Sequence, residues 1–138
     1  MNYNAREVLI AARDELVATE GKNLISGSLV GENHDGTICF CALGYIAKAA
    51  GFPIIATTDD YHCFSVDGHD QEEGAVYDAL NEHPATKALA HAISPIGEDL
   101  HLQGPVYDVY CYNDAKVKQG DYRAVIEAFD TAIELLKD

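Results

Sequence analysis

Apolar positions recur along this chain in three different rhythms. From Asn4 to Gly21, the residues Ala5, Val8, Leu9, Ala12 and Leu16 return at steps of three and four, with Arg6, Asp14 and Glu15 mostly off that line. That period puts them on one face of a helix, which Gly21 can close in a left-handed conformation. Near the C-terminus, Tyr122, Val125, Ile126, Phe129, Ile133 and Leu136 form the clearest stripe of this kind, behind an Asp121 cap. The stretch from Ile38 to Gly51 is different, because Lys48 is its one charge and nearly every face is apolar. A segment without a polar side belongs in the interior. Its Ala, Leu and Lys content favours helix over buried strand, and Gly51 before Pro53 is a stop signal. A central helix is therefore expected here, starting behind Thr37, with small residues such as Gly44 and Ala47 letting neighbours approach. The third rhythm is alternation. Val106 to Tyr112 sets Tyr107, Val109 and Cys111 against Val106, Asp108 and Tyr110, which predicts a strand.

The intervals are less regular. Residues 22 to 37 carry Gly27, Gly31 and Gly36 and read as a loop, with a short strand or packed turn over Ile25 to Val30. Ile54 to Thr58 and Tyr61 to Val66 have strand composition on either side of Asp59-Asp60, so a small hairpin is expected. Glu72 to Asn81 reads as helix, Pro84 suits the first turn of another ending near Ile93, and Ser94 to Pro105 reads as loop. The fold class that follows is mainly α (α+β): a compact helical single domain over residues 1–138, with a small β-hairpin or short strands. A chain of 138 residues, 48% of them hydrophobic, can bury roughly two-thirds of its unfolded surface without disulfides or metals to staple it.

Composition narrows the function classes. No apolar run approaches membrane-spanning length, and the start lacks the basic-then-apolar order of a signal peptide, so a cytoplasmic protein is expected. The four cysteines do not space like a secreted disulfide framework, and Cys39 and Cys41 are too close to bridge comfortably. A net charge of −14 argues against direct nucleic-acid binding, which needs Lys and Arg to displace counterions, and against anionic membranes. Between Lys48 and Lys87 there is no Lys or Arg, while Asp59, Asp60, Asp67, Asp70, Glu72, Glu73, Asp78 and Glu82 all fall there. Such a block is either a solvated face or a docking surface for a partner protein with a basic surface.

Three sets of residues are candidates for chemistry. Cys41, near an expected helix start, could be a nucleophile favoured by unpaired backbone N–H groups, or a small apolar residue in a tight contact. His34 is the nearest histidine in sequence, and nothing in the spacing folds it back onto Cys41. Asn113 and Asp114 could supply an orienting amide and a carboxylate, or could cap a helix or form an Asx-turn. Asp59, Asp60, His62, Cys63, Asp67, His69 and Asp70 crowd seven ligand-type residues into twelve, but match no zinc-finger, H-E-x-x-H or EF-hand spacing. No metal and no cofactor is assigned from them.

Three segments in order carry a resemblance: Gly21-Lys-Asn-Leu-Ile-Ser-Gly27, Cys39-Phe-Cys-Ala-Leu-Gly44, and Tyr112-Asn-Asp114 before an amphipathic C-terminal helix. Together they resemble an uncharacterised family of bacterial and phage proteins, the domain of unknown function numbered six-one-nine-seven. That family shows an N-terminal helix, a Gly-Trp-x-Gln-Gly-like turn, a Cys-Ala-Leu-Gly-Ala helix, a variable middle, then Trp-Asn-Asp and a final helix. This chain has no Trp; Tyr112 stands where Trp precedes Asn-Asp. The resemblance implies no established activity, but it singles out Cys41, Asn113 and Asp114, and its phage context implies a host-directed role. The function expected is a small acidic phage or bacterial accessory protein that binds a macromolecular partner, inhibition of a host defence component being one such role. A Cys-dependent enzyme using Cys41 with Asn113 or Asp114 is the alternative, and a small-ligand or metal-binding domain the third.

Overall fold

The computed structural model describes residues 2–25, 30–32, 38–52, 64–66, 69–71, 73–93 and 104–137. Helix α1 spans Ala5–Ala18, and the Asn4 side chain caps it by accepting from the Glu7 N–H at 3.0 Å. Val8, Leu9, Ala12 and Leu16 are buried, as the period of its apolar residues requires. Gly21, at φ +75°, turns the chain away, and its N–H donates to the Leu16 carbonyl at 2.9 Å. A side chain there would collide with another element: an added Cβ would lie 2.6 Å from the Tyr122 Cβ.

Strands β1 (Val30–Glu32) and β2 (Ile38–Phe40) pair antiparallel, with Gly31 opposite Cys39. Leu24 adds an isolated parallel bridge to Phe40. Helix α2 follows as Ala42–Ala50, so the expected helix from Ile38 behind Thr37 is corrected: its first residues are strand, and Cys41 is the N-cap. The backbone groups of Phe40 are taken by Asn23 and Ile25, at 3.0 and 3.1 Å, and this pairing holds the segment extended. Gly51, at φ +96°, ends α2 where the sequence placed its stop.

Of the hairpin expected over Ile54 to Val66, only Phe64–Val66 falls among the described residues. Strand β3 (Phe64–Val66) pairs antiparallel with β4 (His69–Gln71), while residues 54–58 lie outside the described residues. Helices α3 (Glu73–Glu82) and α4 (Pro84–Ile93) match the expected helices closely. The strand expected over Val106 to Tyr112 is a helix instead: α5 runs Pro105–Lys118, and Val106, Val109 and Asn113 are its buried residues. The alternation of Tyr and Val had two readings, and the packing selected the spacing of three and four. Its start is capped from another element, the Asn81 side chain of α3 accepting from the Val106 N–H at 2.9 Å. Helix α6 (Tyr122–Leu135) begins behind Asp121, whose side chain accepts from Ala124 N–H, and buries Val125, Ala128, Phe129 and Ala132.

Six helices thus carry the described fold, together with two short strand pairs, of which the first contributes Phe40 to the core. Helix α2 is buried on almost every side, as its lack of charge demands, and packs on α1 and α5. It shares the centre with α4, which packs against α5, α6 and α1 and buries only Ala85, Thr86, Leu89 and Ala90. The N-terminal segment is tied across both. Asn2 N–H donates to the Ala50 carbonyl at 2.7 Å, and the Asn2 carbonyl lies 2.9 Å from the Nε2 of buried His83. Because His83 Nδ1 accepts from the Ala85 N–H at 3.0 Å, Nε2 is the protonated nitrogen that donates to Asn2.

Candidate functional site

The start of α2 is where the chemistry-bearing residues meet. A helix begins with N–H groups that its own backbone cannot satisfy. The N-cap Cys41 makes no side-chain bond to them. Asn113, reaching in from α5, does so instead: its Oδ1 accepts from the Ala42 N–H at 3.0 Å. Its Nδ2 donates to the Ile25 carbonyl at 2.9 Å and to Asp114 Oδ1 at 3.2 Å. The amide is buried, with 1% of its surface exposed. One side chain therefore joins three segments far apart in sequence: the turn after α1, the start of α2 and the middle of α5.

Around this joint stand Cys41, Tyr110 and Asp114. The Asp114 carboxylate is hydrogen-bonded to the Tyr110 hydroxyl, and its charge, followed by partial burial, raises the Tyr110 pKa above the ordinary tyrosine value of 10.0. The Cys41 thiol is close enough to add to the same shift. Tyr110 went unnoticed in the sequence because an extended strand, rising about 3.3 Å per residue, would have carried it roughly 10 Å or more from Asn113 and Asp114. On a helix it lies three and four residues before them, on their side.

What the arrangement can do is limited by access. Cys41 is 2% exposed and Cys39 1%, Cys39 standing in β2 rather than in a helix turn. A nucleophile must meet its substrate, and neither thiol reaches the surface. The Asn113 amide has both N–H bonds engaged by protein atoms. His83 is also committed at both nitrogens. The one exposed cysteine among the described residues is Cys111, on the outer side of α5 beside Tyr107.

A family model of unknown function (DUF6197) matches residues 1–135. The chain belongs to that family. No curated protein and no solved structure matches it. The three segments that resemble the family in sequence converge on one buried joint: Ile25 from the first, Cys41 and Ala42 from the second, Asn113 and Asp114 from the third. In this member they meet as a helix cap and a tie between segments.

The other candidate residues lie elsewhere. Asp78 and Glu82 are exposed on α3, and Glu73 begins that helix. Asp70 is in β4, while Asp59, Asp60, Asp67 and Glu72 lie outside the described residues. The crowded ligand-type residues fall mostly there too, including His62 and Cys63. Among the described residues no three His, Cys, Asp or Glu side chains gather as a metal site would require. No described helix is long and apolar enough to cross a membrane.

Proposed function

We propose that this protein acts by binding, taking up a partner protein with a basic face through its acidic surface. The observation that carries the reading is on α3, where Asp78 and Glu82 are exposed and four residues apart, hence on one side of the helix. Like charges at that spacing weaken a helix unless a cation answers them. Lys87, the first cation after the stretch that begins at Lys48, approaches Glu82 only to 3.9 Å, with both side chains more than half exposed. An exposed pair of that kind is nearly worthless to stability. The remaining carboxylates between Lys48 and Lys87 add to the same negative charge along the chain, enough to steer a basic partner towards it. Burial of Cys41 and the commitment of Asn113 to backbone groups favour binding over cysteine catalysis.

The test is capture from a cell lysate by the wild-type chain and by Asp78→Lys/Glu82→Lys. Both sites are exposed, so stability should stay within about 0.5 kcal/mol of wild type. A stoichiometric basic partner should be held at ~50 mM salt, and lost at ~500 mM, where screening reaches a few ångströms, and in the variant. Retention that ignores both salt and charge reversal would leave the block as a solvated face.

A further inference from the structure

The last turns of α1 and the middle of α2 enclose a cleft of about 220 Å³ with an aromatic floor and a charged rim. The floor is Phe40 and Tyr45, ring centroids 5.2 Å apart and tilted by 56°. On the rim, Lys48 Nζ lies 2.9 Å from a Glu15 carboxylate oxygen and 5.3 Å from the centroid of the Phe40 ring. Ala18, Thr19 and Asn23 line the remaining wall. The cleft therefore already holds a cation, through the two contacts that recognise one: a carboxylate and the face of an aromatic ring.

That cation is exchangeable. The Lys48 and Glu15 side chains are 48% and 44% exposed, so water competes for both. Size then decides what could replace it. Sites for cofactors and drug-sized ligands run from about 300 to 1,000 Å³. A cleft of about 220 Å³ fits the tip of one side chain instead. We propose that it anchors an arginine of the basic partner, whose guanidinium displaces Lys48 from Glu15 and stacks on Phe40. Arginine suits the site better than lysine because its planar fork can meet the carboxylate and stack on the ring together. This inference rests on the binding function proposed above and places its contact at a surface distinct from α3.

The experiment titrates N-acetylargininamide into the full chain and follows the Phe40 and Tyr45 ring signals and the Asn23 side-chain amide by NMR. Saturable shifts at these three residues are expected, with none from the neutral citrulline analogue. Lys48→Met removes the internal competitor and should tighten binding roughly two- to fivefold, the range of an exposed ion pair. Glu15→Gln should weaken it by a similar factor. Shifts confined to other residues, or affinities unchanged in both variants, overturn the anchor. The Asp78→Lys/Glu82→Lys chain separates the two ideas, since it should bind the arginine probe like wild type. Partner capture that depends on the α3 charges but not on Glu15 overturns the anchor and leaves the acidic-surface reading standing. Capture that depends on Glu15 but not on α3 does the reverse.

Discussion

Asn113 is a poor helix former in the interior of a helix, and its place there is explained by what its amide holds. Replacing it by Ala would strand the Ala42 N–H and the Ile25 carbonyl in a region with little access to water. Each buried group left without a partner costs about 1–3 kcal/mol, so Asn113→Ala should lower stability by about 2–4 kcal/mol in a urea titration. An unchanged midpoint would refute the cap and return Asn113 to the candidates for catalysis. The cysteines give a second test at this scale. In the native chain iodoacetamide should label exposed Cys111 readily, while Cys39 and Cys41 react only after denaturation. Native labelling of Cys41 near neutral pH would instead identify an accessible, activated thiol.

Helices α2 and α5 show how far local pattern reaches at the next scale. A nine-residue helix is too short to be stable alone. α2 persists because seven of its residues are buried and its first N–H is met by Asn113. Leu43 and Ile46 have no exposed surface at all. Leu43→Ala and Ile46→Ala should each cost about 2–5 kcal/mol, the range for emptying a packed site. Urea midpoints unmoved in both would contradict the burial of α2. For α5 the sequence offered Tyr and Val, good strand formers, in alternation. Helix won because Val106, Val109 and Asn113 face one way at helical spacing, with Pro105 in the first turn and Asn81 supplying the cap from α3. The cap comes from 25 residues away, so no local reading could weigh it.

Over the whole molecule the charge is one-sided, yet the described pKa shifts fall chiefly on tyrosines. Burial raises that of Tyr45 above 10.0, with Glu15 and Cys39 adding to the rise and a hydrogen bond with Thr19 opposing it. Burial also raises Tyr112, helped by Asp121 and Glu127. A tyrosine raised in the folded state is protonated in both states below pH 10.0. Above that, the unfolded chain ionises first and so binds fewer protons than the native one, which makes stability fall as pH rises. The urea midpoint should therefore drop as pH rises above 10.0, and Tyr45→Phe should make the drop shallower. An equally steep drop in that variant would mean that Tyr45 titrates alike in both states.

The sequence by itself determined what local period and charge can carry. It marked α1, α4 and α6 closely, the burial of the stretch around Leu43, the stop at Gly51 and the cation-free interval between Lys48 and Lys87. It also marked Cys41, Asn113 and Asp114 as residues that belong together, through the order of three short segments. The tertiary structure decided the rest. It turned Ile38–Phe40 into a strand because Asn23, Ile25 and the β1 residues take its backbone groups. It turned 106–112 into a helix because one face could be buried. It also gave Asn113 its task, since a side chain that completes a helix 71 residues away in the chain is a fact of packing, invisible to any window of sequence.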